Sequence, residues 1–114
     1  EINEDSIRDA IGNAKRNGIK NAQFIACDSE EFIEQLEDSP NVVFLDPPRS
    51  GFTEKFMKQL DYLKSDKIVY ISCNPTTQAR DIAFLRNYQI KKIVPVDNFP
   101  FTKHVENVIL LTRK

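Results

Sequence analysis

A carboxylate and a thiol each follow an apolar run in this sequence. Asp46 comes directly after Val42–Leu45, and Cys73 comes shortly after Lys67–Ile71. Short apolar runs bounded by turn-forming residues are typical of buried strands. In open α/β sheets the ligand lies at the carboxyl ends of the strands, so we expect Asp46 and Cys73 to face a common site.

Two further carboxylates are expected at the same edge of the sheet. Asp28 follows a predicted strand over 22–27. The last two predicted strands, 90–96 and 105–112, are joined by too few residues for a parallel crossover, so they should be antiparallel. This reversal places Glu106, near the start of the last strand, at the same edge of the sheet as Asp28, Asp46 and Cys73.

The pairing of Cys73 with Glu106 suits a reaction in two steps. A thiol between a strand end and a helix start is favoured as the thiolate, which is the nucleophilic form. Cys73 would add to a substrate, and Glu106 would remove a proton later. The alternative is that Cys73 is a small core residue. His104 shares a strand face with Glu106, and we interpret it as a positioning or packing residue rather than a general base.

The loops also contain groups that could meet a planar ligand. Pro47 and Pro48 predict a stiff loop with open carbonyls, although an ordinary rigid turn is the alternative. For Phe99 and Phe101 we expect core packing, with stacking on a nucleobase as the alternative.

These residues are carried by elements that alternate along the chain. The apolar periodicity predicts a helix over 6–17 with Ser6 as its cap and Gly18 as its end. Further helices are predicted from Ser29, from Thr53 and from Pro75, the last with its apolar positions at 79, 82, 83 and 85. The order is a helix followed by β-α-β-α-β-α-β-β, which predicts an α/β fold.

The composition agrees with one domain of modest size. The chain has 114 residues and a net charge of −1. Residues 1–48 carry 4 Lys/Arg and 11 Asp/Glu, whereas residues 49–114 carry 12 and 6. This asymmetry indicates either an anionic partner such as nucleic acid or scattered solvated lysines. No apolar stretch approaches the ~20 residues of a membrane span, and two distant cysteines favour a reduced, cytoplasmic setting without a metal site.

Three motifs together resemble the RNA 5-methyluridine methyltransferases. They are Asp-Pro-Pro-Arg at 46–49, Ser-Cys-Asn-Pro at 72–75, and Asp-x-Phe-Pro-x-Thr-x-His-Val-Glu at 97–106. The resemblance covers essentially the whole chain, in order. It implies a class I (Rossmann-like) methyltransferase sheet that lacks its first two strands and is mostly parallel with a C-terminal antiparallel strand pair. Residues 1–114 would then be a single C-terminal fragment of a methyltransferase catalytic domain.

The resemblance also implies roles for individual residues. Cys73 would add to C6 of a uracil, and Glu106 would remove the proton from C5. The cofactor would be S-adenosyl-L-methionine, with Glu1 at its ribose, Asp28 near its adenine and Asp46 near its methionine end. Pro47 and Arg49 are candidate RNA contacts, although an exposed salt bridge is an equally good interpretation of Arg49.

The implied activity is methylation of C5 of a uridine in rRNA or tRNA, with 23S rRNA favoured. The chain begins with Glu1 and has no Gly-rich loop. We therefore expect that an N-terminal part of the same protein is missing, that the fragment alone is inactive, and that exposed strand edges promote non-native self-association. An amino-methyltransferase of the Asp-Pro-Pro type and a non-catalytic interaction module are the alternatives. Arg49 in place of an aromatic residue argues against the first, and the presence of both Cys73 and Glu106 argues against the second.

Overall fold

The computed structural model describes residues 1–114, which form two compact units, Glu1–Leu36 and Glu37–Lys114. The first unit contains two helices, α1 (Glu4–Arg16) and α2 (Ser29–Gln35). The second contains four strands and two helices: β1 (Val42–Leu45), α3 (Glu54–Leu63), β2 (Lys67–Ser72), α4 (Pro75–Ile82), β3 (Tyr88–Val96) and β4 (Glu106–Arg113). None of these helices is both long enough and apolar enough to cross a bilayer.

The four strands form one sheet in the order β1-β2-β4-β3. β1 and β2 are parallel, whereas β4 pairs antiparallel with both β2 and β3. Three of the four strands therefore run in one direction, and β4 lies between two of them in the other. The α/β class, the Rossmann-like strand order and the antiparallel end pair are confirmed.

The predicted strand over 22–27 is wrong. This segment has no strand hydrogen bonding, and all four strands of the sheet lie in the second unit. Cys27 N donates to the Glu1 carbonyl at 3.0 Å, but no ladder follows from that bond. The alternating pattern of the segment requires a neighbouring strand to become a strand, and the chain supplies none there.

The helix starts differ from the predictions at two of four positions. α1 is capped by Asn3, whose side chain accepts from the amides of Asp5 and Ser6, so Ser6 is not the cap. α2 is capped by Asp28 rather than Ser29. Short polar side chains adjacent in sequence compete for one capping position, and periodicity does not choose between them. Thr53 and the start at Pro75 are confirmed.

The core of the second unit lies between α3, α4 and one face of the sheet. Met57, Leu60, Ile68 and Tyr70 are fully buried there. Buried and more exposed residues alternate along β2, as expected when only one face is covered. The opposite face leaves apolar side chains exposed, most of all Phe44 at 71%.

Candidate functional site

The sheet brings three of the predicted site residues to one edge. Asp46 directly follows β1, Cys73 directly follows β2, and Glu106 is the first residue of β4. The β2–β4 ladder ends with Ser72 opposite Asn107. Since the two strands are antiparallel, the next pair outward is Cys73 and Glu106. Asp46 follows Leu45, the last residue paired with β2.

Cys73 lies in a turn that leaves its thiol partly accessible. It is a free cysteine of intermediate burial, so it is not enclosed in the core. Asn74 N donates to Ser72 Oγ at 3.0 Å, and Asn74 Oδ1 caps α4 by accepting from Thr76 N at 3.2 Å. The thiol therefore lies one residue before the cap of α4, at the open end of β2.

The loops after β1 and β2 are joined by hydrogen bonds. The carbonyl of Arg49 accepts from Asn74 Nδ2 at 3.2 Å and from Thr77 Oγ1 at 3.0 Å. One turn further along α4, an Arg80 nitrogen donates to the carbonyls of Ser50 at 2.9 Å and Phe52 at 3.1 Å. The Asp-Pro-Pro-Arg and Ser-Cys-Asn-Pro motifs consequently form one connected structure.

The buried carboxylate of Asp81 connects these loops to β2. Asp81 is fully buried, and its Oδ2 accepts from Tyr70 Oη at 2.6 Å and from Phe52 N at 2.8 Å. Arg80 Nε donates to Oδ1 at 3.0 Å, which compensates the buried charge. Burial, together with the hydrogen bond to Asp81, raises the pKa of Tyr70 well above its usual value.

Gln78 connects α4 to the two strands that carry the reactive pair. Its side chain is fully buried, and Nε2 donates to the carbonyls of Tyr70 at 2.9 Å and Asn107 at 3.1 Å. Its Oε1 accepts from Asn107 Nδ2 at 2.8 Å. Gln78, Arg80 and Asp81 were not predicted from the sequence. The adjacent opposite charges of Arg80 and Asp81 were the available signal.

Arg49 bridges to the loop before β4. Its guanidinium contacts the imidazole of His104, and the separation from Nε2 is 3.3 Å. The salt-bridge interpretation of Arg49 is therefore replaced by a bond to a ring nitrogen, which must be unprotonated to accept it. The partner also supports the interpretation of His104 as a positioning residue. Pro47 is buried and Pro48 exposed, so only the second proline ring lies at the surface.

Phe99 and Phe101 do not pack in the core of this chain. They are 52% and 107% exposed, and Phe101 has a positive φ of 64°. Thr102 holds their turn, with its amide and hydroxyl both donating to the Phe99 carbonyl.

The other two predicted cofactor residues belong to the first unit. Glu1 lines an open cavity of about 220 Å³ together with five other residues: Gln23, Ile25, Cys27, Ser29 and Phe32. Asp28 instead caps α2, accepting from Glu30 N at 2.8 Å. A carboxylate beside apolar and aromatic walls fits a nucleoside, whose ribose hydroxyls donate and whose base is flat. Partial desolvation and the Glu31 carboxylate raise the pKa of Cys27, which makes it a poor nucleophile.

The relatives found by comparison with known proteins carry the names of RNA methyltransferases. The uncharacterized RNA methyltransferase of Enterococcus faecalis is 47% identical over 118 aligned positions, covering 99% of this chain and 26% of that protein. The tRNA (uracil(54)-C(5))-methyltransferase of Schizosaccharomyces pombe is 44% identical, covering 99% of this chain and 23% of the relative.

A solved structure shows the same fold with substantial identity. The chain superposes on the tRNA (uracil-54, C5)-methyltransferase of Pyrococcus abyssi, solved in complex with S-adenosyl-L-homocysteine, with a TM-score of 0.86 and 38% identity. The match covers 98% of this chain and 27% of that one. The chain thus spans about a quarter of the length of the relatives that it matches. Because the family model for tRNA (Uracil-5-)-methyltransferase matches residues 1–114, the chain belongs to that family.

Proposed function

We propose that this chain is the part of an RNA (uracil-C5) methyltransferase that supplies the nucleophile and the base of the reaction. The observation that carries the proposal is the register of β2 and β4, whose last pair is Ser72 and Asn107, so that Cys73 and Glu106 are the next residues outward on the two adjacent strands. A partly accessible thiol and a partly accessible carboxylate on adjacent strands can contact neighbouring atoms of one pyrimidine ring.

The chemistry of uracil explains why both groups are needed. C5 is a weak nucleophile until a thiolate adds to C6 and forms an enolate. S-adenosyl-L-methionine, when bound, supplies the methyl group as an electrophile. Glu106 then takes the proton from C5, the electron pair forms the C5–C6 double bond, and the C6–sulfur bond breaks to release the Cys73 thiolate.

The cofactor residues follow from the same proposal. Glu1, with its cavity in the first unit, would contact the ribose hydroxyls, and Asp28 would lie near the adenine. Asp46, exposed at the end of β1, would lie near the methionine end. Since the relatives are about four times longer than the match, we propose that the cofactor and the RNA are held by a longer polypeptide to which this chain contributes.

The RNA substrate is proposed at two levels. An RNA uridine is supported by the names of the relatives, two of which act on uracil 54 of tRNA. The sequence favours, more specifically, a uridine of 23S rRNA. Both tRNA and 23S rRNA should therefore be tested as substrates. Arg49 is a candidate RNA contact on the exposed part of the first loop. The other predicted contact, Pro47, is buried, so we propose the exposed Pro48 beside it instead. A cytoplasmic location, consistent with two free cysteines, is also part of the proposal.

The test uses the full-length protein that contains this chain, S-adenosyl-L-methionine, and tRNA or 23S rRNA fragments carrying 5-fluorouridine. Fluorine at C5 cannot leave as a proton does, so the adduct persists. Mass spectrometry should locate the RNA on Cys73, and Cys73→Ala should abolish both the adduct and turnover on natural RNA. The control is Tyr62→Phe, at a position that is 82% exposed and outside the proposed site, which should retain both, and the 114-residue chain alone should form no adduct.

The same experiment separates the alternatives. An amino-methyltransferase would leave Cys73→Ala largely active, and a non-catalytic module would give neither adduct nor turnover in the unaltered protein. Either outcome would refute the proposal.

A further inference from the structure

Cys73 and Glu106 are positioned by different contacts. Cys73 is fixed by the Ser72–Asn74 turn and by the cap of α4. Glu106 is opposite Val96 of β3, but on the β2 side the ladder ends one residue later, at Asn107. The contacts of Asn107 therefore influence the distance between the Glu106 carboxylate and the Cys73 thiol.

One side chain makes three hydrogen bonds at this point. Gln78 donates to the carbonyl of Asn107, the residue after Glu106, and accepts from its side-chain amide. Its other donor proton goes to the Tyr70 carbonyl in β2, so the same amide group spans both strands. Gln78 is fully buried, and its partners are thus shielded from competition with water.

We propose that Gln78 is a positioning residue that sets Glu106 for removal of the C5 proton, acting through Asn107. This inference depends on the proposed function, because it assigns a residue to one step of that reaction. Gln78 is fully buried, and its side chain bonds only to Tyr70 and Asn107, neither of which is a reacting group. None of these bonds goes to the Ser72–Asn74 turn, so addition to C6 should not require Gln78.

The chemistry predicts where the reaction slows without Gln78. Glu106 takes the C5 proton, the C5–H pair becomes the C5–C6 double bond, and the sulfur leaves with the electrons of the C6–sulfur bond. If Glu106 is displaced, the methylated adduct forms but collapses slowly. A displacement of about 1 Å in a reacting group costs on the order of 100-fold in rate.

The test compares Gln78→Met with the unaltered full-length protein. Methionine keeps the length of the side chain and removes all three hydrogen bonds. On natural uridine RNA, kcat should fall about 10- to 100-fold with little change in KM. The covalent RNA adduct on Cys73 should accumulate during turnover, whereas the rate of adduct formation with 5-fluorouridine RNA should stay within about two-fold of normal. Glu106→Gln should give the same pattern.

Two controls keep the test decisive. Tyr88→Phe also removes a buried hydrogen bond, the one from Tyr88 Oη to the Ser65 carbonyl at 2.8 Å, but at the far end of the β3–β4 ladder. It should leave the ratio of adduct formation to turnover unchanged. That ratio is measured on one sample, so any unfolded fraction of a variant cancels.

Three outcomes have separate meanings. Equal slowing of adduct formation and turnover by Gln78→Met would overturn the positioning role, as would normal turnover. Absence of any adduct in the unaltered protein would instead refute the proposed function itself. Asn107→Ala adds a further check: if the two residues act through their shared bond, the double variant should be no slower than Gln78→Met alone.

Discussion

Two polar residues of α4 face the interior of the unit. Gln78 and Asp81 are fully buried, whereas Ala79 and Arg80 between them are exposed. Asp81 accepts hydrogen bonds from an aromatic hydroxyl, a main-chain amide and a guanidinium, so the cost of burying its charge is offset by three partners. The burial of polar groups in this helix is what connects the loops that carry the reactive residues.

We expect the tyrosines of this core to make the protein sensitive to alkali. Burial raises the pKa of Tyr70 and of Tyr88 in the folded protein. In the unfolded chain these phenols ionise near pH 10. Stability from the neutral phenol is therefore fully present below about pH 10 and is lost as pH rises further, by about 1.4 kcal/mol per pH unit for each tyrosine.

The check is urea unfolding of the unaltered protein and of Tyr70→Phe between pH 8 and pH 11. The variant should be less stable at pH 8 by about 1–3 kcal/mol, since Asp81 loses a partner, and should show a shallower decline above pH 10. Tyr62→Phe, at a position that is 82% exposed, is the matched control. An unchanged slope in Tyr70→Phe would contradict the argument.

The reactive residues were predictable from the sequence because strand ends can be read from it. Asp46, Cys73 and Glu106 each border an apolar run, and topology rules then bring the runs together. The supporting residues were not predictable in this way. In α4 the apolar positions at 79 and 83 suggested the buried face. The helix instead buries Gln78 and Asp81, because a main-chain carbonyl and a phenol hydroxyl of the sheet form hydrogen bonds with their side chains.

At the scale of elements, a glycine turn decides how closely the first loop can approach α4. Gly51 has φ of +71°, and its amide donates to the Pro48 carbonyl at 2.9 Å. A Cβ at this position would collide with the Asp81 carboxylate and the Arg80 guanidinium. The turn therefore requires glycine for its conformation and for the space around it.

Gly51→Ala should therefore lower the free energy of unfolding by more than backbone strain alone would. We expect a loss of about 3 kcal/mol or more in the free energy of unfolding of the second unit. Gly18→Ala is the matched control, with φ of +67° and no atom within 4 Å of the added Cβ, and should cost about 1–2 kcal/mol. Amide hydrogen exchange measures each substitution in its own unit. Equal losses would show that the collision is relieved at no cost.

The elements themselves were mostly predictable, and the exceptions have one cause. Val42–Leu45 is found as predicted, and β2, β3 and β4 differ from prediction by one or two residues at their ends. The segment 22–27 failed as a strand because a sheet position depends on a partner, which no local pattern encodes. Helix caps failed at Ser6 and Ser29 for the related reason that neighbouring side chains compete for the same amides.

At the scale of the molecule, one face of the sheet is apolar and open. Val42, Phe44, Val94 and Val96 are between 38% and 71% exposed, and β1 pairs with β2 alone. Apolar faces and unpaired edges of this kind promote association. The expected self-association of the chain agrees with this surface and remains a prediction.

We expect the chain to associate increasingly with concentration and Phe44→Lys to reduce that association. Analytical ultracentrifugation measures both, with an expected weakening of about ten-fold or more, since a charge would have to be buried beside an apolar surface. Tyr62→Lys is the control, because the Tyr62 side chain is also largely exposed but lies on α3 rather than on the sheet. Equal effects of the two substitutions would assign the association to general hydrophobicity.

The position of β4 within the sheet has a consequence for synthesis. β4 follows the other three strands in the chain, yet it is inserted between β2 and β3. While the ribosome is still translating this region, β2 and β3 lack the strand that joins them, and the thiol at 73 exists without its carboxylate. A nascent polypeptide that lacks β4 would therefore have Cys73 without Glu106 at the same edge of the sheet. Under the proposed mechanism the two groups would come together only when β4 enters the sheet between β2 and β3.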